Sequence, residues 1–309
     1  MLRLIVLSLV VFIPSSLFAD NTVKVFILAG QSNMEGHGKV NAEQKVNQGK
    51  GSLEWLVSNP DKMSQFKHLA DAGGNWIARD DVQIWYLGRK GNLSAGFGFR
   101  QGFIGPELGF GHVVGNAFDE PVLLIKLAWG GKSLAKDFRP PSSGGEVGSY
   151  YKELLKLTKE VLGDAKTLFP QYADRKLELV GLGWHQGWND RVNQAFNDAY
   201  ETNLANFIRD IRQDLGVPNL PFVIAETGMS GWEEKHPRAL SLMKAQAAVA
   251  MHDEFQGNVA FVGTRDFYRS KDESPSGQAY HWNSNAETHY LIGDGMGKAM
   301  LRLMKADQP

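Results

Sequence analysis

Apolar residues gather along the chain in six short runs rich in Val, Ile and Leu, at residues 23–29, 82–87, 122–128, 177–183, 222–225 and 259–262. Most are continuous rather than alternating, the pattern of strands covered on both faces, as in a parallel sheet. Between them the apolar spacing takes the helical period, over 107–118, 150–166, 197–215, 240–252 and 285–304. Strand and helix therefore alternate, which predicts an α/β fold with a doubly wound, mainly parallel sheet between two layers of helices. Two stretches break the rhythm. Residues 41–81 mix polar side chains with Trp55 and Trp76, and residues 136–148 are rich in Pro, Gly and Ser. Long insertions of this kind are expected to be functional loops or lids. No repeat, heptad or low-complexity tract is present, so residues 20–309 read as one domain.

The amino terminus has a different pattern. Met1, Leu2 and Arg3 form a short positive segment, residues 4–13 are apolar, and Pro14, Ser15 and Ser16 precede Ala19. This predicts a secretory signal peptide over residues 1–19, cleaved after Ala19, because the apolar run is shorter than the ~20 residues a spanning helix needs. The expected location is the periplasm or the extracellular space, without stable membrane insertion. The sequence contains no cysteine, which excludes a lipid anchor on that residue, disulfides and thiolate chemistry. A net charge of -1 in 309 residues argues against a nucleic-acid or anionic-membrane partner and favours a small or neutral ligand.

Candidate chemistry lies at the ends of the predicted strands. The first run ends in Gly30-Gln31-Ser32-Asn33-Met34, the third in Ala128-Trp129-Gly130-Gly131-Lys132-Ser133, the fourth in Trp184-His185-Gln186-Gly187-Trp188-Asn189-Asp190, and Tyr280-His281-Trp282-Asn283 precedes the last helix. Residues at the carboxyl ends of neighbouring parallel strands converge in space, which makes these blocks a candidate acyl-transfer site with Ser32 as nucleophile. Ser is also a preferred helix N-cap, so Ser32 taken alone is equally well read as a cap. Adjacent strand-end side chains point to opposite faces, so if Gln186 faces the site His185 does not. Two nucleotide motifs fail: Lys126 stands where a P-loop ending in Gly131-Lys132-Ser133 needs glycine, and Gln101 stands where a dinucleotide turn beginning at Gly96 needs its third. The histidines lack zinc-like spacing, and neither a metal nor another cofactor is predicted.

The four blocks in this order resemble the SGNH/GDSL hydrolases, in particular the sialate O-acetylesterase-like branch and the acetylxylan-esterase-like carbohydrate esterases of family six. The similarity rests on GQSNM, on Gly105-Pro106-Glu107, on Gly130-Gly131 and on His185-Gln186-Gly187. It implies a flavodoxin-like three-layer fold and hydrolysis of acetyl esters on a glycan or sialic acid through an acyl-enzyme on Ser32. It further implies an oxyanion hole built from the Ser32 N–H, the N–H of Gly130 or its neighbour Gly131, and the Gln186 side-chain amide. His281 is expected to be the base, since it precedes the expected N-cap Asn283 in a loop, whereas His289 would lie inside the helix.

The chain departs from the pattern twice. Trp188 replaces the usual Glu, and Gln278 stands three residues before His281 where relatives have Asp. The group orienting the base is left among Asp266, Glu287, Gln278 and a backbone carbonyl, or the site is a Ser-His dyad. A noncatalytic glycan-binding relative and a lipase-like or thioester hydrolase are the competing readings. Aromatics near loops and strand ends, Trp55, Trp76, Trp129, Trp188, Trp232 and Trp282, are candidates for stacking on sugar faces or for the core.

Overall fold

A computed structural model describes residues 21–306. The predicted signal peptide lies outside the described residues. Among the described residues nine strands form two sheets: β1 (Thr22–Gly30), β2 (Gly38–Lys39), β3 (Arg79–Tyr86), β4 (Arg89–Leu93), β5 (Phe103–Ile104), β6 (Val122–Ala128), β7 (Lys176–His185), β8 (Phe222–Ala225) and β9 (Val259–Val262). The main sheet has the order β4-β3-β6-β1-β7-β8-β9, and β2 pairs with β5 in a small separate ribbon. All neighbours in the main sheet are parallel except β3 and β4.

All six predicted strands are present, and the continuous apolar runs have a simple cause. In β1, Val23, Val25, Ile27 and Ala29 enter a core on one face of the sheet, while Phe26 and Leu28 enter a second core on the other. Helices Ser149–Gly163, Tyr200–Leu215 and Pro237–Val249 cover the first face, and helices Pro106–Gly115 and Ala286–Ala306 the second. This is the three-layer arrangement expected from sequence. The last two helices cross almost backbone to backbone: a Cβ on Gly109 would lie 2.1 Å from the Tyr290 carbonyl oxygen, and one on Gly293 would lie 1.9 Å from that of Pro106.

β4 was not predicted, because its sequence RKGNL is polar and its turn is Leu87-Gly88 rather than the usual Asn-Gly. Both turn residues have positive φ, 46° and 88°, as a tight two-residue hairpin requires. The 41–81 insertion also differs from expectation. It folds into short helices that bury Leu53, Leu56, Phe66 and Leu69 in the second core, and so serves packing over much of its length.

Strand β6 carries one charged residue, Lys126, which is fully buried. Its ammonium donates to Glu107 Oε2 at 2.6 Å, to the Glu35 carbonyl at 2.7 Å and to the Phe97 carbonyl at 2.8 Å, and it lies 4.5 Å from the centroid of the Tyr86 ring. Glu107 is equally buried and accepts the Gly105 N–H at 2.8 Å. Lys126→Met should therefore lower unfolding free energy by about 3–5 kcal/mol, the usual cost of leaving one partner of a buried pair uncompensated. Urea unfolding with an unchanged m-value checks this; a loss below ~1 kcal/mol would mean that the pair does not hold the fold together.

Candidate active site

β3 and β6 lie on one side of β1 and β7 to β9 on the other, so the topology switches at the carboxyl end of β1, where α/β sheets place their ligands. Ser32 starts there, on the one-turn helix Ser32–Glu35, with its side chain 9% exposed. Ser32 opens that helix, so its N–H has no preceding turn to bond and is available to a ligand. The turn is tight because β1 and β7 meet closely: a Cβ on Gly30 would sit 2.2 Å from the His185 carbonyl oxygen.

The residues flanking Ser32 tie it to the two later blocks. Gln31 Oε1 accepts the N–H groups of Gly187 and Asn189 at 3.0 and 3.3 Å. Asn33 Nδ2 donates to the Tyr280 carbonyl at 3.1 Å and to Met229 Sδ at 3.0 Å. Asn33 thereby holds the histidine loop. Gly130 is beside the serine, with a Cβ there falling 4.0 Å from Ser32 Cβ and 3.1 Å from Glu35 Oε2. Its N–H faces the Glu35 carboxylate; burial raises that carboxyl's pKa, opposed by the Gly130 N–H, by Lys126 and by the Tyr86 hydroxyl.

His281 occupies a strained loop in which Trp282, Asn283 and Ser284 all take positive φ, 53°, 54° and 57°. Its imidazole stacks on His37 with centroids 3.6 Å apart, and His37 in turn stacks on Phe99 at 4.2 Å. Burial pushes the His281 pKa down to about 4. That of His37 falls to about 3, chiefly by burial and further by His281, Lys126 and Arg100. The buried His281 Nδ1 has no partner among the described residues. Two of the candidate orienting acids are engaged elsewhere: Glu287 pairs with Lys62 at 2.7 Å and Arg269 at 2.9 Å, and Asp266 accepts the Trp232 indole N–H at 2.7 Å. The Gln278 carbonyl takes the His281 backbone N–H at 2.8 Å, not the ring. Among the described residues neither acid offered by the sequence bonds the His281 ring. His289 is fully buried in the last helix, with the His37 N–H directed at its Nε2 from 3.4 Å.

A family model for carbohydrate esterases described as sialic acid-specific acetylesterases matches residues 22–302. The chain belongs to that family. A probable carbohydrate esterase of Arabidopsis thaliana is 23% identical over 222 residues, covering 69% of this chain and 72% of the relative. The solved structure of an Arabidopsis thaliana protein superposes with a TM-score of 0.59 at 18% identity, over 90% of this chain and 97% of that one. The crystal structure of NanS gives 0.55 at 15% identity, over 93% and 99%. At such identities these structures establish the shared fold.

Within this esterase family fold, one expected role conflicts with the geometry. Gln186 is 1% exposed, and its amide nitrogen donates to the Lys132 carbonyl at 3.0 Å and to Asp190 Oδ2 at 2.6 Å, while its oxygen accepts the Tyr200 hydroxyl at 3.2 Å. Both amide hydrogens are thus committed, and the side chain is a strut rather than a free oxyanion donor. The amide near solvent in this block belongs to Asn189, whose Nδ2 donates to the Gly131 carbonyl at 2.7 Å. Asp190, overlooked in the sequence, also accepts the N–H groups of Leu134 and Ala135 at 2.7 and 2.8 Å and so anchors the loop after Gly130-Gly131. Burial pushes its pKa up to about 6 despite these donors. Asn283 is corrected too: the helix starts at Ala286, and Asn285 Oδ1 caps it by accepting the Thr288 N–H at 3.2 Å.

Gln186→Ala should lower stability by about 1–3 kcal/mol, since it leaves buried partners on Asp190 and Tyr200 unsatisfied. Chemical denaturation checks this. An unchanged unfolding midpoint together with a reduced kcat would return Gln186 to the oxyanion hole.

Proposed function

We propose that the protein is an exported carbohydrate O-acetylesterase that removes acetyl groups from a glycan or sialic acid through an acyl-enzyme on Ser32. The observation that carries this reading is the double clamp on the serine: Gln31 binds the block after β7, Asn33 binds the residue next to His281, and Ser32 between them is left free at the sheet's carboxyl edge. The membership in a carbohydrate esterase family supports the substrate class.

In this mechanism Ser32 Oγ bonds to the acetyl carbonyl carbon while its proton passes to the His281 imidazole. The carbonyl oxygen becomes an oxyanion facing the Ser32 N–H and the Gly130-Gly131 turn, where it competes with Glu35 for the Gly130 N–H. Collapse breaks the bond between the acetyl carbon and the sugar oxygen, which takes the proton back from His281. Water then repeats the sequence on acetyl-Ser32, releasing acetate. The unoriented, desolvated imidazole is a weak base, which is the observation favouring the noncatalytic glycan-binding reading.

Hydrolysis of 4-nitrophenyl acetate and of acetylated xylan and sialic acids, with and without a serine-directed inhibitor, separates the readings. Ser32→Ala should abolish most turnover with folding intact; near-wild-type rates would remove Ser32 as nucleophile, and an inert wild type would leave glycan binding. His281→Ala should lower kcat/KM by about 10²-fold or more. A base must be neutral to accept a proton, so kcat/KM should be flat through neutrality and fall as pH drops through about 4. An acid limb near 6.5 would mean that the imidazole is solvated or acid-paired in the working enzyme. For export, N-terminal sequencing of protein from its native envelope or medium should begin at Asp20, and an intact Met1 would refute cleavage.

A further inference from the structure

Trp232 is 72% exposed, whereas every other tryptophan is buried or half-buried. An exposed ring gains little from burial, and fixing it costs side-chain entropy, so an exposed tryptophan held rigidly needs another reason. Trp232 is held from several sides. Its indole N–H donates to Asp266 Oδ1 at 2.7 Å, and the Arg265 guanidinium lies 4.9 Å from the ring centroid. Arg265 is itself fixed by Glu226 at 2.9 Å, and Glu226 takes the Thr264 N–H at 3.0 Å. The backbone is pinned as well: Gly231 has φ of +58°, and a Cβ there would lie 2.9 Å from Tyr268 Cβ.

Beside the ring is a cavity of about 300 Å³ with an apolar floor of Leu240, Met243 and Phe261 and with Lys244 and Asp266 among its polar lining residues. Arg265 backs one face of the indole, and the ring's high exposure leaves surface for a ligand. An aromatic face beside an apolar floor suits the C–H face of a sugar ring, and a carboxylate and an ammonium nearby suit its hydroxyls. Trp188 differs: the Arg191 guanidinium lies 3.7 Å from its centroid and Tyr280 packs 5.6 Å away. The chain links the rim of the cavity to the turn that carries Ser32. Met229, which contacts Asn33, is three residues before Trp232, a span of at most about 11 Å.

We propose that Trp232, with Asp266 and Lys244, forms a secondary saccharide subsite that stacks a sugar ring of the same glycan whose acetyl ester is presented to Ser32. This rests on the acetylesterase reading only for the identity of the substrate. In the full-length protein, Trp232→Ala should leave kcat/KM on 4-nitrophenyl acetate and on O-acetylated N-acetylneuraminic acid within twofold. On acetylated xylo-oligosaccharides or O-acetylated sialyl-oligosaccharides it should raise KM about five- to tenfold, with Trp232→Phe restoring most of the loss. Equal kinetics of Trp232→Ala and wild type on both oligosaccharide sets would overturn the subsite while leaving the esterase reading intact. If the wild type hydrolyses no ester, titration calorimetry with the same oligosaccharides decides: weaker binding by Trp232→Ala supports the subsite, and equal or no binding overturns it.

Discussion

The turn that carries Ser32 depends on a charge buried beneath it. Removing the Lys126 ammonium from water is costly, and the contact with Glu107 offsets that cost only because the remaining hydrogens also find acceptors, the carbonyls of Glu35 and Phe97. Those carbonyls belong to segments with little regular structure of their own. A one-turn helix has no internal ladder to stabilise it, so the end of Ser32–Glu35 takes its position from Lys126. Glu107, at the start of the helix Pro106–Gly115, brings that helix into the same contact, and the close crossing of Gly109 and Gly293 continues it to the final helix. The packing of one sheet face and the placement of the serine therefore rest on the same ion pair.

The polar residues around the serine divide the work by burial. Gln31, Asn33, Gln186 and Asp190 are all buried, and each connects elements far apart in sequence. A buried amide cannot leave its hydrogens unmade without penalty, so in a site this dry it is recruited for scaffolding before chemistry. The groups left for a ligand are those that the local backbone cannot satisfy, such as the Ser32 N–H at a helix start.

The layers of the fold were legible because they follow from period: each β-run alternates between two apolar cores, and helices such as Tyr200–Leu215 follow an apolar stripe, whereas Pro106–Gly115 is buried nearly all round. The β3-β4 hairpin was not, because Leu87 occupies a left-handed position by tertiary constraint rather than by preference. At the site, sequence order located Ser32 and the later blocks but not the direction of side chains. Asp190 decides that Gln186 turns inward, and Lys62 and Arg269 draw Glu287 away from the histidines. One signal was available: a lysine within the continuous apolar run of β6 must have a buried acidic or carbonyl partner, although nothing in the sequence singles out Glu107. No comparable signal marked Glu35, whose proximity to Gly130 arises only when β1 and β6 pair.

Without an orienting acid, the position of the His281 imidazole must come from packing. Here His281 is fixed by its stack on His37, itself backed by Phe99, and by the Asn33 bond to the adjacent carbonyl, in a loop whose left-handed residues are held by the buried Trp282 and by Asn283 Nδ2 bonding the Arg269 carbonyl at 3.0 Å. Packing can fix the ring's plane as well as a carboxylate can, but its effect on charge is opposite. A carboxylate on Nδ1 would stabilise an imidazolium, whereas the stacked imidazole of His37 helps to bury the ring and disfavours the charge. The same stack that orients His281 therefore lowers its basicity, and its Nδ1, buried and without a partner among the described residues, has no group beside it to offset that loss.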